Sequence, residues 1–303
     1  MVLFLVFING CVYIRDMHNN LNDVIKQIFG ENAKVVSPLV GGMMNQSYII
    51  SSNSKKYVLY IATEQANEMV DRELEKENQK IIADLGLTSR NLYFDTKTGT
   101  KANEYIEGDS LNKLDTFNAK KVAGLLKAMH ESGKLSREDY RPFERFIAYE
   151  KEAKSLSDIS YEGYEELHTL IFENRNFLEQ QKMTICHNDA QKSNIVRDLQ
   201  DNYYLIDFEF MGNNDPIYDI ATFGNNIVQE GYDVLLEYYN GNPTIEQKKR
   251  YFLWRIFVSL QWYNVAIVKH FRGEGKTHGY DFLAVAQFFL ANAKDAKKGL
   301  DNI

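Results

Sequence analysis

Cys186-His187-Asn188-Asp189-Ala190-Gln191-Lys192-Ser193-Asn194-Ile195-Val196 decides how this 303-residue chain is read. An apolar strand, Met183 to Cys186, feeds a polar loop, and the loop returns to an apolar strand at Ile195. Asp189 and Asn194 stand at the two ends of that loop. Downstream, Tyr203 to Ile206 reads as a second short strand that ends on another carboxylate, Asp207. Any one of these residues alone reads as a turn former or a cap, because loops are rich in Asp and Asn. The ordered set of strand, His-x-Asp-x-x-x-x-Asn, strand and Asp calls for a chemical reason.

Phosphoryl transfer supplies one. A carboxylate must orient the attacking hydroxyl and accept its proton, and Asp189 suits that role. An amide oxygen and a further carboxylate must hold Mg²⁺ against the triphosphate of ATP, and Asn194 with Asp207 suit that one. The set therefore points to Asp189, Asn194 and Asp207 as the catalytic residues, with Asn194 and Asp207 as the metal ligands.

Upstream of the loop, Ala33 to Val40, Asn45 to Ser52 and Lys55 to Ala62 read as strands, with Ser52-Asn53-Ser54 as a hairpin turn. Glu64 to Leu85 reads as one helix, with Met69, Leu74, Ile81, Ile82 and Leu85 on its apolar face and Gly86 as its stop. Asn91 to Asp95 and Lys101 to Ile106 pair across Thr96-Lys97-Thr98-Gly99. The sum is an antiparallel five-stranded sheet with one crossing helix. After Gly108 the pattern turns helical: Ala119 to Ser132, Phe143 to Ser155, Tyr161 to Gln181, Pro216 to Gln229, Tyr232 to Tyr239, Thr244 to His270 and Tyr280 to Lys298. Thr244 with Gln247 is set up as a capping box. The expected fold is α+β and two-lobed, with a nucleotide-binding N-lobe over 17–107 and a mainly helical, catalytic and acceptor-binding C-lobe over 108–303. Between Leu39 and Tyr48, Gly41 and Gly42 let the backbone approach a phosphate closely.

Composition narrows the partners. The net charge of −7 argues against nucleic acid, since phosphate backbones need concentrated Lys and Arg. Two cysteines, Cys11 and Cys186, build neither a disulfide framework nor a thiolate zinc site, and they suit a reducing, cytoplasmic location. Met1 to Ile14 is apolar but too short for a membrane-spanning helix, and no Lys or Arg precedes it. Residues 1–16 are expected to be an upstream extension or a misplaced start, and no membrane span is expected beyond them. Composition and spacing leave the oligomeric state open.

His187 to Asn194 and Leu205 to Asp219 resemble the choline/ethanolamine kinase family, within the wider aminoglycoside-phosphotransferase and protein-kinase-like fold. The run Leu205-Ile206-Asp207-Phe208-Glu209-Phe210, followed by Asn214-Asp215-Pro216-Ile217-Tyr218-Asp219, is similar to bacterial choline kinases of the lipopolysaccharide-decorating type. The resemblance covers most of the chain from about Leu21. It implies an ATP- and Mg²⁺-dependent kinase for choline or a related small alcohol. It implies that Asn45 lies on the phosphate side and that backbone groups near Glu104 and Ile106 meet the adenine. It places Glu209 and Asp219 on the acceptor side, although Asp219 also suits a role tying the loop down. Trp262 matches the first aromatic of a box for a quaternary ammonium, and Tyr263 is its neighbour. The second aromatic position holds Val265.

The resemblance also implies that Glu75 pairs with a basic residue on the third strand, and that position is Tyr60. A neutral phenol does not replace a cation on a polyphosphate. Lys55, Lys56 and Arg72 are the candidate substitutes, with Arg72, one helical turn before Glu75, as the best placed. Two other readings stay open at this point. Val265 suits a same-fold kinase for another alcohol, such as an aminoglycoside or thiamine. Tyr60 suits a nucleotide-binding pseudokinase.

Overall fold

The computed structural model describes residues 21–39, 45–275 and 281–303. Gly41, Gly42 and the segment 1–16 lie outside the described residues. Two compact units divide the chain: 1–76 with 89–106, and 77–88 with 107–303.

The first unit opens with a helix, α1 (21–29), followed by β1 (Lys34–Leu39), β2 (Asn45–Ser52) and β3 (Lys55–Ala62). β4 (Asn91–Phe94) and β5 (Lys101–Glu104) complete an antiparallel sheet of order β1-β2-β3-β5-β4. The β2–β3 turn closes with Asn53 and Ser54 both at positive φ, the type I′ geometry that matches strand twist. Alternation along β2 and β3 buries Ile50 and Leu59 against Ile25 and Phe29 of α1 and Ala102 of β5.

The expected helix over Glu64 to Leu85 is two helices, α2 (Glu64–Met69) and α3 (Arg72–Asp84). Val70 is extended at φ −118° and ψ 125°, and the Asp71 carboxylate accepts the Leu74 N–H at 3.0 Å. Asp71 thus starts a new helix, with Glu73 and Glu75 in its first turn complementing the helix dipole. The later half of α3 belongs to the second unit, where Ile82 enters the larger core.

The second unit contains β6 (Gly108–Ser110), α4 (Ala119–His130), α5 (Pro142–Leu156), α6 (Tyr164–Glu173) and α7 (Arg175–Glu179). β7 (Thr184–Cys186), β8 (Ile195–Asp198), β9 (Tyr203–Leu205) and β10 (Gly212–Asn214) follow. It closes with α8 (Pro216–Phe223), α9 (Val228–Tyr238), α10 (Ile245–Phe271) and α11 (Phe282–Asp301). Two expected helices divide here, Tyr161 to Gln181 at Asn174 and Pro216 to Gln229 after Phe223. Thr244 and Gln247 form the capping box at the start of α10. β6, β8 and β9 form one small sheet and β7 pairs β10 in another. Gly108 is required in β6, because a Cβ there would stand 2.1 Å from the Arg197 carbonyl oxygen. α10 runs through the core beside α5, α8 and α11, and its Trp254, Phe257 and Leu260 are fully buried. No helix among the described residues is long and apolar enough to cross a membrane.

Glu150 of α5 ties three helices together. It pairs with Lys154 at 2.9 Å and His168 at 3.1 Å, and it accepts the Tyr164 hydroxyl at 3.1 Å, which also meets Asn264. Burial opposes its charge, but His168 and Lys154 prevail and hold its carboxyl at about 2. A depressed carboxylate contributes stability above its ordinary value and loses it as pH falls toward the folded value. Glu150→Gln is therefore expected to cost about 1–2 kcal/mol at pH 7, scaled down because Lys154 is solvated, with the deficit closing between pH 4.5 and 2. Urea unfolding across that range measures it. A pH-independent deficit contradicts it.

Candidate active site

The loop between β7 and β8 is held from behind. Asp219, in the first turn of α8, is fully buried. Its two oxygens accept the backbone N–H of His187 at 2.8 Å and of Asn188 at 2.6 Å. His130 of α4 reaches the same carboxylate at 3.0 Å and the Tyr238 hydroxyl at 3.1 Å. Asn188 sits at φ 62° and donates to the carbonyl oxygens of Cys186 and Phe210, while Asn214 donates to its side-chain oxygen. His187 is buried, and its Nε2 lies 2.9 Å from the Ile206 carbonyl oxygen. Its Nδ1 accepts the Asp189 N–H, so the imidazole is neutral with the proton on Nε2. Burial lowers its pKa, in keeping with that state.

This frame places Asp189 and Asn194 side by side. Asn194 donates its amide to the Asp189 carbonyl oxygen at 2.9 Å and to its carboxylate Oδ2 at 2.8 Å. Gln191 donates to the same Oδ2 at 3.1 Å. With its nitrogen so engaged, Asn194 turns its amide oxygen away from Asp189, where it accepts the Ser193 hydroxyl at 3.3 Å; an oxygen donor of this type suits a hard cation. Asp207 follows β9 at φ 68°, a backbone position that bulky L residues seldom hold. Among the described residues its carboxylate accepts no hydrogen bond. Two oxygen donors of this kind fit Mg²⁺. Burial, and after it the charge of Asp207, raises the Asp189 carboxyl to about 8.

His130, Cys186 and Asp219 also bring ligand-type atoms within 4.8 Å of one another. Each is engaged in the frame: Asp219 by the loop, His130 by Tyr238, and the Cys186 thiol by the Asn214 carbonyl oxygen. Burial pushes that thiol well above its usual pKa. The trio is a tether rather than a metal centre.

In the first unit, Glu75 is buried and takes two cations, Lys101 on Oε1 and Arg72 on Oε2. Burial works against its charge as the largest influence, yet Lys101 and Arg72 together hold its carboxyl below the ordinary value. Arg72 is fixed further by Asn67, which accepts its Nε–H at 3.0 Å and donates to the Thr98 carbonyl oxygen at 2.8 Å. Gly99, at φ +69°, lets that turn close, since a Cβ there would stand 2.9 Å from the Arg72 Nε.

Residues 36–264 match the model of the choline/ethanolamine kinase family. The chain belongs to the choline/ethanolamine kinase family. It is 27% identical over 251 residues to protein LicA of Haemophilus influenzae, covering 78% of this chain and 74% of that one. It is similar to the crystal structure of choline kinase LicA from Streptococcus pneumoniae, with 26% identity, a TM-score of 0.71, and coverage of 95% and 100% of the two chains. A structure of LicA in complex with AMP is similar at 26% identity and a TM-score of 0.69, covering 94% of this chain and 98% of that one. This family member is a choline kinase-like phosphotransferase with an alcohol group as acceptor, on a kinase-like α+β fold.

The remaining residues expected at the site fall as follows. Asn45 opens β2 opposite Ala62. Glu104 ends β5 and pairs with Arg90 at 3.3 Å, and its N–H goes to the Arg90 carbonyl oxygen. Ile106 is the last residue of the first unit, which, unlike the expected 17–107, leaves 77–88 to the second. Glu209 is half-buried in the turn that the Met211 N–H closes on the Phe208 carbonyl oxygen. Trp262 is half-buried and stacks on Phe289 at 5.7 Å. Tyr263 is not on an open face: it is buried against Tyr164, ring centroids 4.7 Å apart, because adjacent helix residues point about 100° apart. Sequence reasoning singles out Tyr218 as a further acceptor-side aromatic but not Lys101, Tyr140 or Arg145, and the last two join Tyr218 in a group beside the loop. There Tyr140 lies 5.5 Å from Tyr218, and Arg145 stands 4.8 Å over the Tyr140 ring and 5.6 Å over that of Phe210. Burial raises the Tyr140 and Tyr218 hydroxyls, and the charge of Asp189 adds to it.

Proposed function

We propose that this kinase transfers the γ-phosphate of ATP to the hydroxyl of choline or a related amino alcohol. The observation that carries the reading is the Asp189–Asn194 pair, braced by Gln191 and followed by Asp207 at a left-handed backbone position. Asp189 Oδ2 is occupied by its two amide donors, and Oδ1 of the same carboxylate orients the acceptor hydroxyl and takes its proton. Mg²⁺, held by the Asn194 amide oxygen and Asp207, would neutralise charge on the phosphates. The nucleotide belongs to the reading because the similar LicA structure is a complex with AMP. Asn45, Glu104 and Ile106 are its proposed contacts from the first unit. On the acceptor side we place Glu209, Trp262, and the Tyr140 and Phe210 rings, whose faces already carry the Arg145 cation. Trp262 offers an aromatic face for a quaternary ammonium.

An ADP-release assay over choline, ethanolamine, thiamine and an aminoglycoside tests the proposal. Turnover with choline or ethanolamine, at least about tenfold above the other two in kcat/KM, is the expected result. Silence with both amino alcohols and turnover with another alcohol would reassign the acceptor. Binding of Mg-ATP with no turnover on any would make the chain a pseudokinase.

A further inference from the structure

We infer that Lys101 of β5 is the cation that grips the nucleotide's phosphates in this chain, in place of a residue on β3. The inference rests on the phosphotransferase reading above and names a residue for it.

The sheet register makes the exchange possible. Tyr60 and Lys101 are direct partners across the antiparallel β3–β5 pair. Opposed residues of such a pair point to the same face, with Cβ atoms about 4.5–5.5 Å apart. A cation lost at position 60 is therefore regained one strand away, on the same face. The Lys101 ammonium lies 5.1 Å from the centroid of the Tyr60 ring, so the phenol supplies a π face where the strand lacks a charge. A second cation at position 60 would instead stand against Lys101 at short range. Tyr60 and Lys101 thus fit one another as a pair.

Glu75 connects the ammonium to α3. It holds Lys101 on one oxygen and Arg72 on the other. The two cations have different parts. Arg72 is held at Nε by Asn67 and at Nη1 by Glu75, behind the turn that Gly99 closes, while its buried Nη2 has no hydrogen-bond partner among the described residues. It braces the carboxylate. Lys101 presents a compact charge with three donors on one nitrogen, which can bind a carboxylate and an anionic oxygen together. Glu75, Arg72 and Lys101 are each nearly fully buried, two cations about one carboxylate. A phosphate oxygen is the kind of acceptor that a buried ammonium binds by a charge-assisted bond.

Calorimetric titration of the full chain with Mg-ATP and, separately, with adenosine tests the assignment. Lys101→Met is expected to weaken Mg-ATP about ten- to hundredfold, the range of a lost charge-assisted bond, with adenosine affinity within about twofold of wild type. The double variant Tyr60→Arg with Lys101→Met returns the cation to β3 and is expected to recover most of the loss. Glu75 keeps Arg72 in the single variant, and a thermal melt without nucleotide reports its folding. Lys101→Gln, which retains a donor to Glu75, serves by the same criterion where the Met variant does not fold. Mg-ATP affinity within about twofold of wild type overturns the assignment. So does an equal loss of Mg-ATP and adenosine affinity with a lowered melt, which marks Lys101 as structural only. The outcome is independent of the acceptor: wild type that binds Mg-ATP and phosphorylates no alcohol contradicts the proposed activity, while the affinity of the Lys101 variants still decides the grip.

Discussion

Asp189→Asn is expected to lower kcat by about 10³-fold or more, the upper range for loss of a positioned base, while Mg-ATP still binds. The same change is expected to stabilise the fold, increasingly so as pH rises. The wild-type carboxyl is raised to about 8 by burial and by Asp207. A group raised in the folded state keeps its proton there while the unfolded chain has lost it. Its favourable contribution is complete below the unfolded value and is lost as pH climbs through the folded one. Wild type therefore loses ground between about pH 4 and 8, and the neutral Asn variant does not. Asp189 keeps partial contact with solvent, so the gain at pH 8 is about 2 kcal/mol, well under half of the roughly 5 kcal/mol that full linkage across that pH range would give. Urea melts at about pH 5 and pH 8, with turnover measured alongside, supply both numbers. Asp207→Asn removes the second cause of the raised value and should move the Asp189 carboxyl titration downward in a carboxyl NMR series without nucleotide. Substantial turnover in Asp189→Asn, or a stability gain equal at both pH values, would remove Asp189 from the role of base.

What could be read from the residues alone follows the distance over which they act. Asp189, Asn194 and Asp207 lie on one short stretch of strand, loop and strand, so their order along the chain already announces their neighbourhood. The five-stranded sheet was legible for a similar reason, since its turns carry their own signals at Ser52-Asn53-Ser54 and Thr96 to Gly99. The break between α2 and α3 is signalled too: Asp71 precedes Glu73 and Glu75 as a cap precedes an acidic first turn. A continuous apolar period across the break masks that signal. Lys101 was hidden because its meaning depends on the β3–β5 register, which sets Tyr60 and Lys101 face to face although they are distant in sequence. The alternation of strand residues shows which face a side chain takes, and not which strand lies alongside. Trp262 and Tyr263 show the corresponding limit for helices. A helix buried nearly all round, as α10 is, has no polar face to orient it, so which neighbour reaches a ligand follows from packing alone.

Asp219→Ala is expected to destabilise the kinase by about 3–5 kcal/mol, the cost of removing one partner from a buried charged network. The carboxylate accepts two loop N–H groups, at 2.8 and 2.6 Å, with His130 behind it at 3.0 Å. Without it, both N–H donors and the His130 Nε2 are buried and unsatisfied, while His130 Nδ1 keeps the Tyr238 hydroxyl. The loop these N–H groups belong to carries Asp189, so relaxation reaches the proposed base, and a displacement near 1 Å can cost about 10²-fold in rate. The expected pattern is a fall in kcat with little change in KM for ATP or acceptor. An acceptor-binding role would give the opposite pattern, a raised acceptor KM with the urea midpoint unmoved, and that result would return Asp219 to the acceptor side. His130→Ala supplies a milder version should the Asp219 variant be too unstable to assay. It removes only the support behind the carboxylate, so the loop N–H bonds stay and both losses should be smaller in the same proportion. Asp219 is fully buried with three of its roughly four acceptor positions filled, so the expected dependence of turnover on it runs through the loop that it holds.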